Sequence, residues 1–250
     1  MPHFSSDGID IAYLDEGTGD PVLLIHGFAS TKEINWVGPS WLKTLREAGR
    51  RVIAFDHRGH GESGLVYDPA LYHTRLMAED ACRLLDHLGI AKADVIGYSM
   101  GGRVGAQMAV HHPERVRSLV IGGLGIHLVD GVGLPQSIAD ALEAPSLDAV
   151  EDPMGRMFRG FADANDQDLR ALAACIRGSR QVLTREEVGG IKLPVLVAVG
   201  TRDAVAGNAH ELGALLPNGT VLDIPNRDHN PAVGDKVFKQ GVLDFFARRP

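Results

Sequence analysis

One serine lies where a hydroxyl can be made reactive. In the segment VIGYSMGGRV, Val95 to Val104, an apolar run of strand length breaks at Gly97, Gly101 and Gly102 around a single hydroxyl, that of Ser99. The G-x-S-x-G spacing suits a strand that turns sharply into a helix. Glycines relieve the crowding at such an apex, and the turn pushes the hydroxyl out beside a helix N-terminus whose free N–H groups favour negative charge. An ordinary tight strand-to-helix turn has the same pattern, so attack on an acyl carbon requires partners as well. A serine hydroxyl needs a base within hydrogen-bond reach and a carboxylate that holds the base in one tautomer. Eleven histidines compete for the first role. His229 is the best placed, between the last strand-like run and a terminal helical pattern. Asp203 ends a buried strand-like run at the same edge, whereas Asp228 adjoins His229, and adjacent side chains rarely face each other.

Other reactive residues have plainer readings. Asp56, His57 and His60 in DHRGH raise a metal hypothesis, but a glycine-rich turn gives the two histidines no common face, and Asp56 suits a turn. His111 and His112 precede Pro113, where a helix must stop, and read as C-terminal capping residues. Cys82 and Cys175 fall inside helical patterns as small hydrophobes. Phosphate-loop and dinucleotide fingerprints are missing, since GLGIHLVDG has the wrong glycine spacing. Neither a metal nor a cofactor is expected.

The elements that must carry these residues are legible as apolar runs. PVLLIHG from Pro21, RVIAFD from Arg51, ADVIGYS from Ala93, VRSLVIGG from Val116, PVLVAVG from Pro194 and TVLDIP from Thr220 are mostly continuous rather than alternating. Strands buried on both faces read this way. Helical patterns lie between several of them: Met77, Ala81, Leu84, Leu85 and Leu88 share a face, with Asp80 and Arg83 placed elsewhere. A terminal pattern runs from Val237 to Phe246, with Arg248 and Arg249 suited to its C-terminal end. The class is therefore α/β, a mostly parallel sheet flanked by helices. IDIAYLDEG at the start predicts an antiparallel edge strand. Residues 125–190 contain no convincing buried strand and read as short helices around Leu134 to Glu143, Pro153 to Ala164 and Asp168 to Arg177. They predict a helical cap inserted into a core of residues 1–124 and 191–250.

The net charge of −7 is scattered over 32 acidic and 25 basic residues without blocks, which offers no nucleic-acid or membrane surface. No window approaches the ~20 apolar residues of a membrane span, and the N-terminus has no signal-like core. A cytoplasmic setting is the expectation.

Several separate motifs together resemble the α/β-hydrolase family over nearly the whole chain. LLIHGFAS is similar to its His-Gly strand, FDHRGHGES to its next strand-end loop and GYSMGG to its nucleophile elbow. VAVGTRD is similar to its acid-bearing strand end and NRDHN to its histidine loop, in the family order Ser, Asp, His. The resemblance implies Ser99 as nucleophile, His229 as acid and base, and Asp203 as its orienting carboxylate. No carboxylate follows the run ending at Gly123 before Asp130, which strengthens Asp203 over the usual alternative position. It also implies oxyanion donors at the backbone of Phe28 and Met100 and a structural part for His26. Phe28 and Met100 would make the pocket apolar. In the cap, Met154, Met157, Phe158 and Phe161 fit both plain packing and, together with Phe28, substrate binding. Trp36 and Trp41 stay ambiguous in the same way, and His127 stands at the cap entrance.

These readings converge on a serine hydrolase of small to medium carboxylic esters or lactones, with a small-molecule partner and an open oligomeric state. A serine at the elbow argues against the aspartate chemistry of dehalogenases and epoxide hydrolases. Perhydrolase-like members tend to carry Trp where this chain has Phe28. The S-M-G-G elbow keeps carbon–carbon bond hydrolases of ring-cleavage products as a rival, and a hydrolase-fold ligand receptor with slow turnover is the alternative from another class.

Overall fold

The computed structural model describes residues 1–131 and 133–248. Eight strands form one sheet: β1 (His3–Ser6), β2 (Ile9–Glu16), β3 (Asp20–Ile25), β4 (Arg50–Phe55), β5 (Ala93–Tyr98), β6 (Val116–Gly122), β7 (Val195–Gly200) and β8 (Gly219–Ile224). Their spatial order is β1-β2-β4-β3-β5-β6-β7-β8. β1 and β2 run antiparallel to their neighbours, and the other six are parallel. IDIAYLDEG is thus antiparallel but not the edge: β2 pairs with β4 on one side and with the short β1 on the other.

The apolar runs are continuous because both faces of the sheet are covered. Leu23 and Ile25 join one core cluster while Val22 and Leu24 join the other, and Val95 and Ile96 divide in the same way. Successive side chains on a strand point to opposite faces, so each face receives half of every run. The helices are α1 (Trp41–Glu47), α2 (Thr74–His87), α3 (Met100–His111), α4 (Ser137–Glu143), α5 (Pro153–Ala164), α6 (Leu169–Gly178), α7 (Arg185–Gly190), α8 (Ala209–Leu215), α9 (His229–Ala232) and α10 (Lys236–Arg248). Residues of α2, α3 and α8 pack in one cluster, and those of α1 and α10 in the other. Arg248 ends α10, and Arg249 lies outside the described residues. None of the described helices is long and apolar enough to cross a membrane.

Among the described residues, four α-helices stand between β6 and β7. Of these α4, α5 and α6 pack on one another, and α6 also packs on the turn at Pro69–Tyr72. Side-chain caps start three of them: Asp152 accepts from Gly155 N–H, Asp168 from Ala171 N–H and, at α7, Thr184 from Glu187 N–H. The last, α7, sits against α3 and α8 instead. Trp36 and Trp41, ambiguous in sequence, are fully buried in the cluster on the α1 and α10 side, where the indole N–H of Trp41 donates to the Val233 carbonyl. Cys82 and Cys175 are buried free thiols, and burial pushes the Cys175 pKa up to about 12.

Candidate active site

Ser99 follows β5 and opens α3 with φ 54° and ψ −115°, a conformation that costs a non-glycine residue roughly 1–3 kcal/mol. The surroundings hold it there. Ser99 N–H donates to Gly122 O at 2.7 Å, and Arg103 N–H donates back to Ser99 O at 3.2 Å. The flanking glycines are required by close approach: a Cβ on Gly97 would lie 2.1 Å from Gly101 O, and one on Gly101 2.0 Å from Ile25 O. The elbow is therefore wedged between β3 and α3, with the hydroxyl at the C-terminal edge of the parallel strands.

The structure brings Ser99, Asp203 and His229 together. His229 Nε2 is 3.0 Å from Ser99 Oγ, and His229 Nδ1 is 2.8 Å from Asp203 Oδ2. Asp203 has a fully buried carboxylate, which three donors satisfy: His229 Nδ1 on Oδ2, and Val205 N–H and Ala206 N–H on Oδ1 at 2.9 and 3.0 Å. An ionised carboxylate only accepts, so Nδ1 carries the proton and Nε2 is left to accept from the serine. Asp228 makes no side-chain hydrogen bond to the helix that His229 begins.

Phe28 and Met100 are both buried, and among the described residues neither backbone N–H has an acceptor. Met100 is the first residue of α3, where the N–H has no intrahelical partner. Buried donors without acceptors are rare, and a pair beside a nucleophilic hydroxyl is what a developing oxyanion requires. The loop bearing Phe28 is held by Asn35, which the sequence did not single out, and by His26, which it did. Asn35 Oδ1 accepts from Gly27 N–H at 2.7 Å, and a Cβ on Gly27 would lie 3.4 Å from Ser99 Cβ. His26 is fully buried, with Nδ1 donating to Gly27 O at 2.7 Å and Nε2 accepting from His57 N–H at 2.9 Å. It is thus a neutral strut away from the hydroxyl.

Asp56, His57 and His60 do not assemble as ligands. His57 Nε2 meets His26 O, His60 Nδ1 meets Arg58 O, and both rings are buried. Among the described residues, Glu33, Asp56 and Glu62 are the group close enough to share a cation. Lys32 already fills that place: its Nζ is 2.7 Å from Asp56 Oδ2, 2.7 Å from Glu62 Oε2 and 3.2 Å from Glu33 Oε1. Burial opposes the lysine charge, but hydrogen bonds to Asp56 and Glu62 outweigh it and raise its pKa.

Two cavities meet at Ser99. The larger, about 310 Å³, is lined by His229, Asn35, Tyr98 and Phe28, with Met157, Phe158 and Phe161 from α5. Phe28 and Phe158 have ring centroids 5.6 Å apart, so the loop after β3 and α5 share one wall. Met154, expected with these residues, does not line it. It lies one turn nearer the start of α5 and packs against the core instead. His127 is not on that wall either; its Nδ1 meets Val205 O at 2.8 Å. The smaller cavity, about 40 Å³, is lined by Ser99, Met100, Arg103, Leu124, Ile176 and Val205 among others. Arg103 is buried and spends its guanidinium on the carbonyls of His127, Leu128, Gly131 and Gln181, tying both ends of the inserted segment to α3. Burial lowers its pKa to about 10.

Tyr98 was also missed in the sequence. Its hydroxyl donates to the backbone carbonyl of His229, and its ring centroid is 5.6 Å from the imidazole.

Comparison with known proteins places this geometry in a family. The α/β hydrolase fold family matches residues 20–127. The chain is 31% identical, over 88% of its length and 91% of the relative's, to BpoC of Mycobacterium tuberculosis H37Rv, which carries a provisional non-heme bromoperoxidase name. It is 34% identical, over 84% of its length, to the dihydrolipoyllysine-residue acetyltransferase component of an acetoin cleaving system from Pseudomonas putida, of which it spans 59%. A hydrolase from Pseudomonas aeruginosa PA01 superposes with a TM-score of 0.82 at 25% identity, over 98% of this chain and 97% of that one. The parallel sheet with its helical flanks, the strained serine after β5 and these matches together make the chain a member of the α/β-hydrolase family.

Proposed function

We propose that the protein is a serine hydrolase of small to medium carboxylic esters or lactones. The observation that carries this reading is the unbroken hydrogen-bonded line Asp203–His229–Ser99, with two acceptor-free N–H groups beside the hydroxyl. Ser99 Oγ attacks the ester carbon while His229 Nε2 takes its proton, and the oxyanion rests on Phe28 N–H and Met100 N–H. His229 then returns the proton to the departing alkoxide, leaving an acyl group on Ser99. Water, deprotonated by the same nitrogen, attacks that acyl group. The carboxylic acid leaves and the proton returns to Ser99.

An ester is favoured over an ionised ring-cleavage product by the lining of the larger cavity, which among the described residues includes no lysine or arginine to compensate a carboxylate. The test is hydrolysis of p-nitrophenyl esters by wild type and Ser99→Ala in parallel, with bleaching of a coloured dienoate as the competing assay. Turnover confined to wild type, with a loss on the order of a million-fold in kcat for the variant, is the expected result. Faster dienoate bleaching than ester hydrolysis would move the assignment to carbon–carbon cleavage. Ligand-induced thermal stabilisation with negligible turnover would move it to a receptor.

A further inference from the structure

We infer that the substrates are esters with a short acyl group on a medium-sized apolar alcohol, and not esters of long-chain acids. The inference rests on the proposed part of Ser99 and names its substrate class.

Four groups surround the tetrahedral carbon, and the structure fixes a direction for three of them. One is Ser99 Oγ. The second, the oxyanion, points at the N–H groups of Phe28 and Met100. The third is the leaving oxygen, which must lie within hydrogen-bond reach of His229 Nε2 to take its proton. His229 lines the larger cavity and not the smaller. The alcohol portion therefore starts at the wall of the larger cavity and extends along Met157, Phe158 and Phe161. The remaining substituent, the acyl chain, is left with the smaller cavity, between Met100, Leu124, Ile176 and Val205.

The volumes turn this direction into a size limit. About 40 Å³ holds roughly three water-sized groups, taking 10–15 Å³ for each, which suits an acyl group of about two to four carbons. About 310 Å³ leaves room on the alcohol side for several times as much. On the side of α3 and α6 the smaller cavity cannot enlarge cheaply. Ile176 is 3% exposed within α6, and Arg103 fastens the chain on either side of the inserted segment to α3.

Hexyl acetate and ethyl hexanoate test this directly, because they are isomers with the long chain on opposite sides of the same ester group. With wild type, kcat/KM for hexyl acetate should exceed that for ethyl hexanoate by at least about tenfold, since methylenes that the smaller cavity cannot hold forfeit their burial. Ile176→Ala, or Leu124→Ala should the first variant not fold, should narrow that ratio by opening the acyl side. Ser99-dependent hydrolysis of both isomers at equal rates, or a preference for ethyl hexanoate, would overturn the inference and leave the serine mechanism standing. Hydrolysis of neither isomer, or hydrolysis that survives Ser99→Ala, would overturn both.

Discussion

The residue immediately before Ser99 holds the backbone of the residue whose imidazole meets the Ser99 hydroxyl. The hydroxyl of Tyr98 donates to the carbonyl of His229, so β5 fixes the serine and the start of α9 through neighbouring positions. Replacing Tyr98 by Phe keeps the ring that fills the space between His229 and Phe238 and removes only this bond. The expected result is a fall in kcat of about tenfold with KM nearly unchanged, the loss of one hydrogen bond that orients the base. Steady-state kinetics on a p-nitrophenyl ester would show it. A rise in KM at constant kcat would instead assign Tyr98 to substrate binding.

Asp203 makes a sharper case. Val205 N–H and Ala206 N–H both point at Oδ1, so in Asp203→Asn the amide oxygen must stay there and the NH₂ must face His229. The imidazole then presents an unprotonated Nδ1 to that donor and a protonated Nε2 to Ser99, the wrong tautomer for taking a proton. A loss of about ten-thousand-fold in kcat with an unchanged thermal midpoint is expected. Near-normal turnover would show that Asp203 does not orient the base.

Away from the site, a buried ion pair carries stability. Asp80 is fully buried and takes Arg58 Nε at 2.7 Å and Nη2 at 2.6 Å, with Ser6 Oγ as a further donor. Removing either partner leaves the other charge buried, at a cost of about 3–5 kcal/mol. Asp80→Leu and Arg58→Met should each lower the urea midpoint markedly, and the double variant should recover much of the loss. A double variant as unstable as the sum of the singles would show that packing, not charge, dominates there.

That pair also marks where the sequence was silent. Five of the six parallel strands were legible because both faces need Val, Ile and Leu, as Val22 to Ile25 and Val195 to Val199 show, whereas β8 at the sheet edge buries only Ile224. Ser99, Asp203 and His229 were legible because each ends or follows such a run, and because the motifs around them resemble a known family's in the same chain order. β1 was not, because its four residues turn only Phe4 and Ser6 inward, and Ser6 is there to donate to Asp80. Asp80 itself lies in a helix whose apolar stripe is complete without it, so its burial is explained by distant partners, Arg58 22 positions earlier and Ser6 on β1. Tyr98 and Asn35 act through single hydrogen bonds to backbone atoms, which leave no periodicity to detect. Met154 shared the helical spacing of Phe158 and Phe161, but spacing fixes a face and not how far the cavity extends along it.

His26, His57 and His60 are buried beside one another, with ring centroids 4.6 Å apart for the first pair and 5.3 Å for His26 and His60. Burial opposes protonation of all three, setting His57 well below its ordinary value and His60 at about 3 instead of 6.5. Once unfolded, each titrates near 6.5, so below that pH the unfolded chain takes up protons that the folded one refuses, for His60 down to about pH 3. The stability these neutral rings allow is therefore fully present above pH 6.5 and is lost on acidification, by up to about 1.4 kcal/mol per pH unit for each. Urea unfolding at a series of pH values should show this slope. His60→Asn, which can keep a donor towards Arg58 O, should flatten it by about one proton between pH 6 and 4. Equal slopes for wild type and variant would mean that His60 protonates in the folded protein as readily as in the unfolded chain.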